Sequence, residues 1–271
     1  MIVEFRILFA ILNLKFPFEL KDDQNEAVNA WLNNNFRGSI IYSTGTGKTE
    51  IAFECAKRLA EIKYNNDIMC YSKDTRGVKP NQKFRILFIV PRIVLIDQNV
   101  NRLVRYGLPR ESIGTFFGEQ KEIKEITIST YQSVINRLDL IRDSDMIILD
   151  EIHLLSETAK EFSKIFDIIN ENPTKGILGL TATINENDSR YNTIIKTLPP
   201  VKKYLIKDAV TDGRLAKPQV VSVPVNFTDS EKKIYNETST KISSLSRKLG
   251  VFDPKRISIL LFKGGYNAKL A

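Results

Sequence analysis

A glycine-rich turn, Ser-Thr-Gly-Thr-Gly-Lys-Thr at residues 43–49, constrains the fold more than any other feature of the chain. An apolar strand is predicted just before it, at 39–42, and an amphipathic helix just after it, ending near Ile62. In such a unit, successive backbone N–H groups and the positive end of the helix face one anion. The turn therefore predicts an α/β fold that binds a phosphate.

The residue types in the turn indicate a nucleotide and a magnesium ion. Lys48 is expected to neutralise the β- and γ-phosphates, and the Thr49 hydroxyl is expected to ligate Mg²⁺. The general P-loop pattern has a glycine where Tyr42 stands, so the match is to a variant of that pattern. The alternative is a structural turn that binds no nucleotide. The predicted nucleotide-binding residues of the turn are Ser43, Thr44, Gly45, Thr46, Gly47, Lys48 and Thr49.

The rest of the first 185 residues alternates strands with helices. Apolar runs predict further strands at 85–90, 126–130, 145–150 and 176–181, with helices at 93–106, 131–138 and 157–171. The polar stretch 64–83 is predicted to be a loop or a small insertion. Such alternation predicts a mainly parallel central sheet with helices on both faces.

A pair of carboxylates follows the predicted strand in Asp-Met-Ile-Ile-Leu-Asp-Glu-Ile-His, residues 145–153. The carboxyl ends of parallel strands are where ligands bind in such folds. Asp150 is expected to hold Mg²⁺, and Glu151 to orient or deprotonate an attacking water. Alone, the pair is also compatible with a solvated strand end. Its position 102 residues after Lys48, in the same α/β pattern, favours a catalytic role.

Three motifs together, the 45–49 turn, Asp-Glu-Ile-His at 150–153 and Thr-Ala-Thr at 181–183, resemble motifs I, II and III of the superfamily 2 helicases. The resemblance is strongest to XPB-type and UvsW-type DNA helicases, over roughly residues 20–225. It implies a RecA-like P-loop NTPase domain that hydrolyses ATP with Mg²⁺, with Lys48, Asp150 and Glu151 as catalytic residues. It also implies that His153, Thr181 and Thr183 couple ATP hydrolysis to motion.

Other stretches fit the same template less specifically. Gln24, in a segment similar to the helicase glutamine motif, is expected to bind the adenine edge. Residues 90–98 and 128–133 resemble motifs Ia and Ic, which grip one nucleic-acid strand in the family. They imply phosphate contacts from Arg92, Thr130 and Gln132. For Thr130, a helix cap is an equally reasonable interpretation.

The predicted organisation is an N-terminal extension at 1–19, the RecA-like domain at 20–185 and a basic extension at 186–271. Within the extension, 197–206 and 216–225 are predicted to be extended, and 228–249 is predicted to be a helix that begins with a Thr228–Glu231 capping box. The extension holds 16 Lys and Arg against 8 Asp and Glu, whereas residues 1–185 hold 24 of each kind. An excess of positive charge is compatible with nucleic-acid binding and equally with a solvated basic face, and the resemblance favours nucleic acid, with DNA over RNA. No motif V or VI is recognisable, so a second RecA-like lobe is expected as a partner, in the same chain or in another.

Two rival functions share these motifs. One is the translocase subunit of a restriction-type complex, and the other is a clamp that binds nucleotide and nucleic acid without hydrolysis. Retention of Lys48, Thr49 and both carboxylates argues against the clamp. Few cysteines, no membrane-length apolar run, and a first segment interrupted by Glu4 and Arg6 predict a cytoplasmic protein without a signal peptide or a membrane partner.

Overall fold

The computed structural model describes residues 10–73, 84–156, 162–185, 187–217, 219 and 221–249. The chain divides into two compact units, Met1–Lys217 and Pro218–Ala271. The strands described in the first unit are β1 (Arg37–Tyr42), β2 (Ile86–Val90), β3 (Ile113–Phe117), β4 (Gln120–Lys121), β5 (Ile126–Thr130), β6 (Met146–Asp150), β7 (Gly176–Thr181) and β8 (Pro200–Tyr204). Its described helices are α1 (Asp22–Asn33), α2 (Lys48–Lys73), α3 (Val94–Arg105), α4 (Tyr131–Ile135), α5 (Asp139–Arg142), α6 (Ser163–Glu171), α7 (Asn192–Thr197) and α8 (Ile206–Thr211).

These strands form one sheet in the order β4-β3-β5-β2-β6-β7-β1-β8. Every described pairing is parallel except that of β3 with β4. The four central strands β2, β5, β6 and β7 are buried almost throughout, as expected for strands covered on both faces. The predicted mainly parallel sheet is therefore confirmed.

Side chains that alternate along each strand feed two separate cores. Phe88 and Ile148 point to a core shared with α1, α2 and α3. Their neighbours Leu87 and Ile147 point to a second core shared with α4, α5, α6 and α7. This period of two follows from strand geometry and places helices on both faces, as predicted.

Several predicted boundaries change in the structure. The helix that follows the glycine-rich turn, α2, does not end near Ile62 but continues to Lys73. Residues 64–73 contain no glycine or proline that would break it. The prediction of a loop at 64–83 is therefore wrong for residues 64–73, which are helical. Residues 74–83 lie outside the described residues. The predicted helix at 157–171 is found as α6, with 157–161 also outside the described residues.

Two strands, β3 and β4, are found where none was predicted, and the extended segment predicted at 197–206 forms β8. β3 and β4 form a short antiparallel edge, and β8 lies at the opposite edge beside β1. β8 begins at Pro200, which is tolerated because an edge strand can lack one N–H donor. The segment after residue 185, predicted to be a basic extension, thus contributes to the sheet.

The second unit contains helix α9 (Asp229–Leu249). Its N-terminus has the predicted capping box: the Thr228 backbone N–H donates to the Glu231 carboxylate at 2.8 Å, and the Glu231 N–H donates to the Thr228 hydroxyl at 3.4 Å. No helix within the described ranges is long and apolar enough to cross a membrane.

Candidate active site

The glycine-rich turn lies at the carboxyl end of β1 and leads directly into α2. Gly45 and Gly47 have φ values of +81° and +92°, which favour glycine. A Cβ at Gly47 would also lie 2.4 Å from Nε2 of Gln24. Glycine is therefore required at position 47 both by backbone conformation and by the close approach of α1.

Buried hydrogen bonds hold the turn in place. The Ser43 N–H donates to the Tyr204 carbonyl at 2.9 Å, and its hydroxyl donates to the same oxygen at 3.3 Å. The Thr46 hydroxyl donates to the Ser43 carbonyl at 2.6 Å, and the Lys48 ammonium donates to the Tyr42 carbonyl at 3.1 Å. Ser43 and Thr46 are thus structural members of the predicted set, whereas Thr44 and Gly45 are exposed.

Gln24 lies on α1, buried against the turn. Its Nε2 donates to the Thr46 carbonyl at 3.0 Å, and its Oε1 accepts from the Lys21 N–H at 2.9 Å. The structure therefore places Gln24 beside the turn, with its amide held at both ends.

The predicted carboxylate pair lies at the carboxyl end of β6. Asp150 ends the strand, and Glu151 adopts a left-handed conformation with φ of +53°. The Asp150 backbone carbonyl accepts from the buried Tyr131 hydroxyl at 2.7 Å, and one of its carboxylate oxygens accepts from the Glu151 N–H at 3.1 Å. A left-handed residue is unusual for glutamate, so the strand end is held in a defined and strained shape.

Electrostatics link these carboxylates to the turn. Burial, and then the charge of Glu151, raise the pKa of Asp150 to about 6, and the charge of Lys48 opposes this. Burial lowers the pKa of Lys48, while Glu151 and Asp150 favour its charged form. Both carboxylates therefore lie near enough to the partly buried Lys48 ammonium to interact with its charge, and a further cation would stabilise this arrangement.

Carboxylate and hydroxyl oxygens at this position fit Mg²⁺. Asp150 and Glu151 supply carboxylates, and Thr49 supplies a hydroxyl at the start of α2. The described residues contain no cluster of three His, Cys, Asp or Glu side chains that would form an all-protein metal cage. Magnesium suits such a site because it commonly uses few protein ligands and completes its shell with phosphate oxygens and waters.

The three residues predicted to couple hydrolysis to motion lie together. Nδ1 of His153 is 3.1 Å from the Thr181 hydroxyl and 3.2 Å from a Glu151 carboxylate oxygen. The Thr181 hydroxyl in turn accepts from the Thr183 N–H at 3.3 Å. His153 thus bridges the carboxylate motif and the end of β7.

The predicted nucleic-acid residues follow neighbouring strands β2 and β5, at the same edge as the turn. Arg92 and Gln132 are exposed. Thr130 is buried, and its hydroxyl accepts from the Ser133 N–H at 3.3 Å as the cap of α4. The helix-cap interpretation of Thr130 is therefore realised, which removes much of its surface from any ligand.

Sequence reasoning missed the residues that tie these parts together. Glu50, next to Thr49, accepts from the Tyr106 hydroxyl at 3.1 Å and lies 3.5 Å from the Arg102 guanidinium of α3. It links the turn to the helix that follows Arg92. A carboxylate in the first helical turn was visible in the sequence, but its partners were not.

Comparisons with known proteins agree with this geometry. The family model described as "Type III restriction enzyme, res subunit" matches residues 17–186. The chain is 37% identical over 161 residues to the DNA 3'-5' helicase XPB of Mycobacterium tuberculosis, covering 55% of this chain and 28% of that protein. It is 28% identical over 240 residues to the DNA 3'-5' translocase XPB2 of Sulfurisphaera tokodaii, covering 88% and 47%. The chain thus spans less than half the length of either relative.

A solved structure agrees as well. The UvsW helicase from bacteriophage T4 superposes with a TM-score of 0.52 at 21% identity, over 71% of this chain and 63% of that one. At this identity the likeness bears on the fold alone, and it confirms the predicted RecA-like architecture.

Proposed function

Because the chain belongs to the family described as type III restriction enzyme, res subunit, we propose that it supplies the ATP-binding lobe of a motor acting on DNA. The observation that carries the proposal is the meeting of Lys48, Asp150 and Glu151 beside a glycine-rich turn at a helix N-terminus. A partly buried ammonium and two carboxylates, one of them with a raised pKa, suit triphosphate and magnesium together. A structural turn would have no need of them.

Each group has a distinct task in this proposal. The turn and Lys48 would hold the β- and γ-phosphates, while Thr49 and Asp150 would hold Mg²⁺, which would supply positive charge beside the transferred phosphoryl group. Glu151 orients the attacking water and accepts its proton. His153, whose Nδ1 lies 3.2 Å from a Glu151 carboxylate oxygen and 3.1 Å from the Thr181 hydroxyl, carries the state of that carboxylate to the end of β7.

DNA is the nucleic acid we propose, because both relatives are named for action on DNA. Arg92 and Gln132 lie exposed at the edge that also carries the nucleotide turn, where they can contact phosphates of one strand. The contact from Glu50 to α3 provides a physical link between the two sites. A second RecA-like lobe, in the same chain or another, would close over the nucleotide and provide the second grip.

A restriction-type translocase is the second candidate, favoured by the description of the matching family. It would use the same residues in the same way. The two candidates differ in the nuclease or methyltransferase that a restriction complex requires, so co-purification with such an activity would favour the second.

The decisive test is titration of the chain with a fluorescent ATP analogue and Mg²⁺. Lys48→Ala removes the ammonium that faces the phosphates, so affinity should fall at least about tenfold. Lys57→Ala on the same helix is the matched control and should bind like the unaltered chain. Equal affinity in all three proteins, or no binding by the unaltered chain, would contradict the proposal.

A further inference from the structure

An ion pair joins the start of α1 to the segment that follows α8. Both terminal nitrogens of the Arg214 guanidinium bind the Asp23 carboxylate, one of them at 2.9 Å, in a two-pronged contact. The two side chains are only 14% and 17% exposed. A largely buried pair of this geometry holds its two backbones in one relative position, because losing either partner leaves a largely buried charge without its counter-ion.

The local sequence Asp-Gly-Arg at 212–214 determines where the Arg214 side chain lies. Gly213, with φ of +67°, ends α8, and the Arg214 N–H turns back to the Ala209 carbonyl at 2.8 Å. Asp212 accepts from the Tyr204 hydroxyl at 2.7 Å, and the Arg214 guanidinium lies 5.0 Å from the centre of the Tyr204 ring. All three residues therefore have a part in aiming the guanidinium at α1.

These contacts form a continuous series that begins and ends at the nucleotide turn. Tyr204 accepts the Ser43 hydrogen bonds at the start of the turn, and Arg214 covers the Tyr204 ring. Arg214 binds Asp23, and the next residue, Gln24, donates to the Thr46 carbonyl in the middle of the turn. A continuous set of contacts thus connects the Gln24 amide to a residue 190 positions later in the chain.

The fixed orientation of that amide has a chemical consequence. An amide has two N–H donors and two acceptor lone pairs, and the structure uses one of each, leaving one donor and one acceptor. Adenine presents an N7 acceptor beside an N6 donor, which this amide matches. Guanine presents two acceptors, N7 and O6, on the same edge. An amide held at both ends would reject guanine, whereas one free to flip would discriminate less.

We infer that Arg214 is a positioning residue for base selection: by binding Asp23 it fixes α1, so that Gln24 keeps the amide orientation that accepts adenine and rejects guanine. The inference rests on the proposed function, since it requires that the turn bind a nucleoside triphosphate. An ion pair with a purely structural role would affect ATP and GTP alike.

The test measures dissociation constants for Mg·ATP and Mg·GTP with the intact 271-residue chain. The unaltered chain should prefer ATP, and Arg214→Gln should reduce that preference about tenfold while GTP affinity changes little. Arg214→Lys keeps the charge but cannot bind the Asp23 carboxylate through two nitrogens at once, so its preference for ATP over GTP should be intermediate. Arg142→Gln, which breaks an exposed ion pair with Glu171, is the matched control and should keep the full preference.

Asp23→Asn approaches the pair from the other side. It should reproduce the Arg214→Gln result, and the double variant should lose no more than either single one. If one variant fails to fold, the other still decides. An unchanged preference in a folded variant, or equal weakening for both nucleotides, would overturn the inference alone. Failure of the unaltered chain to bind either nucleotide would overturn the proposed function with it.

Discussion

Replacing Asp150 with asparagine should stabilise the protein while removing its proposed magnesium ligand. The carboxyl group is buried at the end of β6, and burial together with Glu151 raises its pKa from the ordinary 3.8 to about 6. Asparagine keeps the size and the acceptor oxygen bonded to the Glu151 N–H, but it carries no charge to desolvate. The variant therefore relieves a cost that the native site carries.

The size of that cost follows from the two pKa values. A pKa of about 6 in the folded state against 3.8 in the unfolded state corresponds to about 3 kcal/mol of lost stability once both states are ionised. Because the folded pKa is raised, the cost is absent below 3.8, grows as pH rises from 3.8 to 6 and is complete above 6. Asp150→Asn should therefore gain up to about 3 kcal/mol at pH 7.5 and only about 0.5 kcal/mol at pH 4.

The assay is urea unfolding without Mg²⁺ at both pH values, followed by the fluorescence of Trp31. This is the only tryptophan in the sequence, and it is fully buried between α1 and the sheet, with its indole N–H bonded to the Ile177 carbonyl. Asp145→Asn is the control at the other end of the strand. It loses the 2.6 Å contact with Lys63 and should not be stabilised. A gain that is absent at pH 7.5, or equal at both pH values, would refute the reasoning.

Two further variants test the roles proposed for the carboxylate motif in a motor completed by its second lobe. Glu151→Gln keeps shape and hydrogen bonding but removes the base, so steady-state hydrolysis should fall at least about 100-fold while ATP affinity stays within about twofold. Undiminished turnover would mean that another group activates the water. His153→Ala breaks the bridge to Thr181, so DNA stimulation of hydrolysis should be lost while basal hydrolysis remains. If both rates fell equally, His153 would act on chemistry rather than on coupling.

Much of the candidate site could be located from the sequence because its signals are local. A turn with two glycines and a lysine, placed between an apolar run and a helix, carries its geometry within seven residues. Asp150 ends a strand with a clear apolar pattern, Met146–Asp150, and Glu151 follows it directly. Sheet order then brings them near the turn, since only β7 separates β6 from β1. The contact between His153 and Thr181 also agrees with the coupling implied by the helicase resemblance.

The contacts that the sequence did not reveal are distant in the chain or depend on burial. Arg214 and Asp23 are 191 positions apart, and neither lies in an apolar pattern that marks it as buried. Thr130 shows a different limit of sequence analysis. Its local sequence was compatible with a helix cap and with a ligand contact, and only its burial in the structure distinguishes the two. The raised pKa of Asp150 likewise depends on surroundings contributed by several strands.

β8 provides a last test, because the predicted domain boundary at residue 185 would exclude it. The Ser39 N–H and hydroxyl donate to the carbonyls of Pro199 and Leu198, both at 2.9 Å, and Ser43 donates twice to Tyr204. Both serines are buried, and an unsatisfied buried polar group costs about 1–3 kcal/mol.

Ending the chain at residue 185 removes these acceptors and exposes β1 as a sheet edge. We therefore expect that version to lose several kcal/mol of stability and the ordered nucleotide turn, whereas a chain ending at residue 217 keeps both. Urea unfolding followed by Trp31 fluorescence, together with ATP binding, decides the matter. Equal stability and affinity in the two versions would support the boundary at 185.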